Sequence, residues 1–303
     1  MINYYSNGKL LITGEYLVLD GALSLALPTQ FGQSLTVETI DEPKLLWESI
    51  DYKGKIWFED EFNLQNEVSR FTRNDSNVSK RLLQILKAGK QLNPHFLNSN
   101  IGYKVTNKLD FPQFWGLGSS STLINNIAQW AKVDTYQLLE QTFGGSGYDI
   151  ACAQHNFPIT YQLKDDKRLI NKVDFNPKFK DNLFFVHLNK KQNSRDGIKQ
   201  YNSNKNNSAL AISEISNITS KIVTCTSLND FEALITSHEH IVSKIIKQEP
   251  IKNLLFNDYN GAIKSLGAWG GDFILATGNR DSFNYFKSKG YHTVIPFTEM
   301  VLN

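Results

Sequence analysis

The sequence predicts an α+β fold, and three features carry that reading. Short β-type runs in the first forty residues are separated by turn residues, as in hairpin-linked strands. Strand-like and helix-like segments then interleave through both halves of the chain. Near the middle, a strand, a glycine-bearing loop and a helix start follow one another.

Taken in order, Leu10, Leu11 and Ile12 form a first run that stops at Gly14. Residues 16–19 form a second, leading into Asp20 and Gly21, a typical hairpin dipeptide. Residues 35–38 alternate apolar and polar, as a half-buried strand does. A helix is predicted over 78–92, because Val78, Leu82, Ile85, Leu86 and Gly89 share one face and Asn93-Pro94 closes it. Residues 101–109 read as a strand. After 112–118 comes a helix with Leu123, Ile127, Trp130 and Ala131 on one stripe. A second glycine loop, 144–147, opens a short helix over 148–154. The strongly apolar run 182–188 is a strand that starts a second unit. Helices are predicted at 209–223, 228–247 and 251–266, then a strand at 273–277, a helix at 281–289 and a strand at 292–297.

The chain has 303 residues, a length that suggests two domains, placed at 1–170 and 171–303. Hydrophobic residues at 41% supply a real core and exclude wholesale disorder. A net charge of only +2 argues for no nucleic-acid partner and no anionic membrane surface. Cys152 and Cys225 stand in no metal or redox spacing and read as thiols in a reducing compartment. The N-terminus lacks the basic start and apolar run of a secretion signal, and no stretch approaches the ~18–20 apolar residues of a span. A cytoplasmic location is expected. The tract from Asn202 to Asn207 reads as a solvated loop, and His238 and His240 as surface or core residues rather than metal ligands.

Three loops can carry chemistry. In Gly116-Leu117-Gly118-Ser119-Ser120-Ser121, successive backbone N–H groups ahead of a helix can converge on an anion, although a Ser/Gly loop is also an ordinary helix cap. It is neither a Walker motif nor a dinucleotide fingerprint. In Gly145-Ser146-Gly147-Tyr148-Asp149, the carboxylate can orient a substrate hydroxyl, or simply favour the helix dipole. In Gly267-Ala268-Trp269-Gly270-Gly271-Asp272, glycines ahead of a strand permit close approach to a ligand, or make a tight turn.

Taken together and in order, these segments resemble the GHMP kinases: Ser6-Asn7-Gly8-Lys9-Leu10-Leu11-Ile12-Thr13-Gly14-Glu15-Tyr16 their first motif, Pro112 to Ser121 their second and Gly267 to Gly271 their third, with Ser146-Gly147-Tyr148-Asp149 similar to the turn that carries the catalytic aspartate. The run Gly147-Tyr148-Asp149-Ile150-Ala151 is similar to the signature of a bacterial subgroup of that superfamily, the GYDIA type. The resemblance implies a two-domain fold: a ribosomal-protein-like α/β domain, a ferredoxin-like domain, and the active site in the cleft between them. It implies ATP and Mg²⁺ as cofactors. Gly116, Leu117, Gly118, Ser119, Ser120 and Ser121 would wrap the phosphates, with Ser120 and Glu140 on Mg²⁺. Asp149 and Lys9 would be catalytic. Glu15, Tyr16, Ser146, Gly147, Gly267, Ala268 and Gly270 would line the acceptor side, joined by Lys190, Lys191 and Arg195 if the acceptor carries a phosphate; those three also read as a solvated charged loop.

The sequence departs from the family pattern at Ser6-Asn7, Phe114-Trp115 and Trp269. The implied activity is phosphoryl transfer from MgATP to a mevalonate-pathway intermediate, with phosphomevalonate ahead of mevalonate and then another small alcohol or sugar. Diphosphomevalonate decarboxylation and a catalytically silent ligand-binding role are the other classes. The expected partner is a small molecule only, and the expected state a monomer or homodimer.

Overall fold

Among the described residues of a computed structural model, the apolar runs of the sequence become twelve strands and ten α-helices. The structure describes residues 1–64, 68–72, 76–97, 101–165, 167–192, 194–205 and 208–302, with the side chains of 68–72, 76, 194 and 195 left aside. Two units emerge. One comprises Met1–Gly8, Phe31–Gln113 and Gly118–Gln154; the other comprises Lys9–Gln30, Phe114–Leu117 and His155–Asn303. This departs from a single cut at residue 170, because two long strands near the N-terminus each contribute residues to both units.

The first unit holds β1 (Ile2–Leu11), β2 (Ser24–Ile40), β3 (Lys44–Ile50), β4 (Ile56–Asn63), β5 (Val68–Thr72) and β6 (Gly102–Leu109), in the order β5-β4-β3-β6-β2 with β1 on β2. The β3–β6 pair is parallel, with Leu45 opposite Tyr103, and the β3–β4 pair antiparallel. Leu45 and Trp47 on β3 and Phe58 and Phe62 on β4 point to one side. They share a core with Leu82, Ile85 and Leu86 of α1 (Ser76–Leu92), Ile124 and Ile127 of α2 (Ser119–Ala131), Leu138 of α3 (Thr135–Thr142) and Ile150 of α4 (Tyr148–Gln154).

In the second unit, β7 (Ile159–Lys164) and β8 (Lys167–Lys172) form a hairpin laid on the start of β2, with Ser24 opposite Tyr161. A separate antiparallel sheet runs β10-β11-β9-β12, from β9 (Leu183–His187), β10 (Ile263–Ser265), β11 (Phe273–Thr277) and β12 (Val294–Pro296). With it go α5 (Ser194–Asn204), α6 (Ala209–Val223), α7 (Leu228–Ile246), α8 (Ile251–Leu255), α9 (Ser282–Ser288) and α10 (Phe297–Met300). Helix α7 packs against α5, α6 and β10. Among the described residues no helix is long and apolar enough to cross a membrane.

Three sequence expectations change. Residues 16–19 are not a hairpin strand: Leu17–Asp20 is a single 3-10 turn, Leu17 and Val18 are buried, and Gly21 ends it at φ 91°. The helix predicted over 251–266 stops at Leu255, because Asn257, Asp258, Asn260 and Gly261 favour a turn, and the chain re-enters as β10. The stretch 41–77, unassigned from sequence, holds β3 to β5; Glu48, Glu59 and Glu61 on the outer face and a buried Asp60 on the inner one mask the apolar alternation. Cys152 is buried and Cys225 half-buried, and neither is in a disulfide. Of the Asn202–Asn207 tract read as a loop, Asn202, Ser203 and Asn204 instead end α5, and Asn206 and Asn207 lie outside the described residues.

Phe256 is fully buried among Phe286, Tyr285 and Tyr291 in the second core. Phe256→Ala is expected to destabilise the chain by ~3–5 kcal/mol, the usual cost of an aromatic-sized cavity, read as a shift in urea midpoint at unchanged slope.

Candidate active site

The glycine loop ahead of α2 takes a shape that few sequences can follow. Gly116 and Gly118 have φ of 69° and 88°, in the left-handed region that other residues avoid. A Cβ on Gly116 would come within 2.5 Å of the Asp272 carboxyl carbon. Gly118 is the residue before α2, so Ser119, Ser120 and Ser121 lie inside the helix and do not cap it; no side chain caps its first turn, and no acidic residue sits there. Helices α3 and α7 are instead capped by Asp134 and Ser227. An uncapped helix start entered through left-handed glycines suits an anion, whose oxygens would take the first-turn N–H groups.

Within the first unit this helix start is braced from behind. Thr122 Oγ1 donates to Gln33 Oε1, and Gln33 Nε2 donates to Asn107 Oδ1 at 2.7 Å. Ser6 Oγ donates to Asn126 Oδ1 at 2.7 Å and accepts from Asn125 Nδ2 at 2.9 Å. The serine that departs from the family pattern therefore satisfies buried amides of α2. Asn125 Oδ1 also accepts from Gln154 at 3.1 Å, which fixes the end of α4.

Beside Ser119 and Ser120 lies a cavity of ≈ 270 Å³ lined mainly by Trp47, Trp57, Phe58, Leu82, Ile85 and Phe143. The Trp57 indole N–H is buried without a partner among the described residues, whereas that of Trp47 donates to Ser49 Oγ at 3.0 Å. Sequence analysis missed this cavity. Its residues are scattered over β3, β4, α1 and the C-cap of α3 at Phe143, and only the alternation along β3 and β4 could have pointed to it.

Asp149 is half-buried in the first turn of α4, behind Gly144, Gly145 and Gly147 at φ of 65°, 103° and 88°. Ser146 and Gly147 are buried, and Glu140 is exposed on α3. Among the described residues no group of three His, Cys, Asp or Glu could hold a metal ion alone. The residues fit a cation that arrives on phosphate oxygens, with the exposed Ser120 hydroxyl as its candidate ligand, since Mg²⁺ keeps waters and takes few protein ligands.

In the second unit, Lys9 Nζ donates to the Gly116 carbonyl at 3.1 Å, and the Lys9 N–H donates to the Leu117 carbonyl at 3.0 Å. Lys9, Trp115, Gly116, Gly267 and Asp272 line one small recess. Trp115 stands edge-on to Phe273, and Trp269 is buried. Asp272 has φ 55°; its N–H donates to the Lys190 carbonyl at 2.7 Å, and its carbonyl accepts from Leu188 at 2.8 Å. Burial raises the Asp272 pKa, against the pull of Lys9. Lys190 and Lys191 are exposed on this strapped loop; the Arg195 side chain lies outside the described residues.

Glu15 and Tyr16, expected on the acceptor side, are both buried. Glu15, expected on the acceptor, is 1% exposed and gives its carboxylate to Lys264 at 2.5 Å. Tyr16, at φ 64°, is buried; its hydroxyl accepts the Trp269 N–H at 3.3 Å, and its ring stacks on Tyr201. Burial pushes the Tyr16 pKa up to about 12. The expectation that His238 belongs to surface or core holds: it is in the core. Lys264 escaped notice because residues 251–266 read as helix, where a lysine faces water.

No protein-family model and no curated protein matches this sequence. Among solved structures, the Methanococcus jannaschii mevalonate kinase is similar at 17% identity, with TM-score 0.70 and 95% of this chain and 94% of that chain covered. The Streptococcus pneumoniae phosphomevalonate kinase, solved with phosphomevalonate and AMPPNP, is 17% identical, with TM-score 0.67 and 95% and 96% covered. The Lactococcus lactis galactokinase, solved with galactose, is 13% identical, with TM-score 0.67 and 99% and 92% covered. The chain thus has the α+β, two-domain fold of the GHMP kinases.

Gly116→Ala is expected to destabilise the chain by more than the ~1–2 kcal/mol of a left-handed alanine, because Asp272 must also move. Gly144→Ala, whose Cβ meets nothing within 4 Å, should lose only the backbone part. Urea unfolding of the two variants makes the comparison.

Proposed function

We propose that the chain is an ATP-dependent small-molecule kinase that transfers a phosphoryl group to a hydroxyl or phosphate of its acceptor. The observation that carries this reading is the loop from Gly116 to Ser121. It combines left-handed glycines, an uncapped helix start and the Lys9 ammonium on the Gly116 carbonyl. The aromatic cavity beside Ser119 and Ser120 supports it, offering flat apolar walls and the unpaired Trp57 donor to a nucleobase.

In this reading the loop amides hold the β-phosphate, and a magnesium ion bound with the nucleotide supplies charge neutralisation. The chain's own work is positioning and electrostatics. Asp149 orients the attacking oxygen of the acceptor, and takes its proton where that oxygen is a hydroxyl. Lys9 faces charge on the phosphoryl oxygens, and its strand-to-loop hydrogen bonds hold it in place.

Phosphomevalonate is the acceptor the residues favour. The run Gly145-Ser146-Gly147-Tyr148-Asp149 resembles the phosphomevalonate kinase form, and Lys190 and Lys191 offer exposed cations for a phosphate. A sugar acceptor is the second reading, because the galactokinase is as similar in fold as the phosphomevalonate kinase.

A nucleotide-depletion assay over mevalonate-pathway intermediates and simple sugars decides the acceptor. ATP consumed with none of them, alongside clear ligand binding, would turn the reading to a binding protein. Asp149→Asn is expected to lower turnover by ~10²–10⁴-fold, the range for a positioned base, with circular dichroism and Tm unchanged. Near-normal turnover would remove Asp149 from the mechanism.

A further inference from the structure

Four ionisable side chains meet in the core of the second unit. Glu15, His238, Glu239 and Lys264 are exposed by 1%, 0%, 3% and 0%. They come from the turn after β1, from α7 and from β10. Lys264 Nζ donates to Glu15 Oε1 at 2.5 Å and to the Ser265 carbonyl at 2.8 Å, and lies 3.7 Å from Glu239 Oε1. Ser265 Oγ donates to Glu239 Oε2 at 3.0 Å. The Gly14 N–H donates to His238 Nε2 at 2.9 Å, so the imidazole keeps its proton on Nδ1 and is neutral.

One ammonium therefore faces two carboxyl groups at a site without water-exposed charge. Two buried carboxylates against one cation would leave a net negative charge in the core, which is strongly unfavourable. One carboxyl must hold a proton. The distances give Lys264 to Glu15 and leave the proton on Glu239.

The cluster also joins two of the glycine loops. Lys264 ends two residues before Leu266-Gly267, and its ammonium holds Glu15. The next residue, Tyr16, accepts the N–H of Trp269 from inside the third loop. Gly14 belongs to the same turn and fits only as glycine: its φ is 93°, and a Cβ would fall 2.0 Å from Ser24 Oγ. The third loop thus hangs on the first turn through Lys264–Glu15 and through Trp269–Tyr16.

We infer that Lys264 and Glu15 are positioning residues that set the third glycine loop on the first-motif turn, and that Glu239 keeps them paired by retaining a proton. The consequence for activity rests on the kinase reading; the coupling of loop to cluster does not.

The groups facing Glu239 are Lys264 on β10 and Glu15 on the turn; His238 on α7 faces Glu15 instead, with Nε2 3.3 Å from Glu15 Oε2, and Lys9 faces Glu15 from β1. Burial raises the Glu239 pKa to about 8, with Glu15 adding to the rise and Lys264 opposing it. Glu15 is also raised by burial, and His238 is held well below its ordinary range. The folded chain binds this proton up to about pH 8, whereas an unfolded glutamate releases it in the ordinary carboxyl range. Stability is therefore lost as pH rises through that window. Above it, a second carboxylate competes with Glu15 for Lys264.

The test uses substrate-free protein labelled with 5-fluorotryptophan, with the Trp269 resonance assigned through Trp269→Phe. In the wild type that resonance should shift with a midpoint near pH 8, the value expected for Glu239. In Glu239→Gln it should stay flat, and Tm should no longer fall across the same range. In Lys264→Met it should be displaced at every pH. A Trp269 resonance that keeps its titration in Glu239→Gln, or that is unmoved by Lys264→Met, overturns the inference. If Lys264→Met does not fold, the Glu239→Gln titration decides alone. With MgATP and the acceptor from the depletion assay, Lys264→Met should lower kcat/KM about tenfold to hundredfold, as a misplaced loop does, and Glu239→Gln should lose only the alkaline fall in rate. A chain that consumes no ATP would end the kinase reading, while the fluorine titration would still stand or fall separately.

Discussion

The close passage of Gly116 against the Asp272 carboxyl is the constraint around which the candidate site is arranged. No side chain fits there, and no residue but glycine adopts that backbone shape at little cost. Because Gly116 has neither obstacle, its carbonyl can meet the Lys9 ammonium, and the next carbonyl can meet the Lys9 N–H. Asp272 in turn carries two backbone hydrogen bonds to the loop of Leu188 and Lys190. One missing Cβ thus allows a strand, a phosphate-type loop and a lysine-bearing loop to converge within the second unit.

The first unit answers a different demand. Its α2 start is left uncapped toward the loop side, so its fixed points lie along the opposite flank and within the helix. Asn125 and Asn126 are buried in α2 beside Ile124, Ile127 and Ala128, which would be unfavourable without Ser6, Gln33, Thr135 and Gln154 as partners. The same partners anchor α4, and with it Asp149. A polar network that serves the fold also fixes the residue proposed for proton transfer.

The charged cluster of the second unit shows why a buried lysine is tolerated. Its partner is a carboxylate at hydrogen-bond distance, and the surplus acid is neutral near physiological pH. Replacing either partner alone would leave an unmatched charge. The arrangement makes loop geometry depend on a proton held in the core rather than on a group that lines the recess around Lys9.

Much of the fold was legible. The helices over 78–92 and 209–223, the short helix over 148–154 and the strand over 273–277 follow from period and punctuation, which are local properties. The glycine loops were legible for the same reason: a left-handed position requires a particular residue type wherever it falls in space. The sequence alone therefore determined the fold class, the three loops and the candidate roles of Lys9 and Asp149. Only the tertiary structure decided that Glu15 pairs with a buried lysine, that Lys264 lies on a strand, and that Trp47, Trp57 and Phe143 line one cavity. Those facts depend on residues far apart in the chain, and burial or pairing at such separations is set by packing rather than by any local pattern.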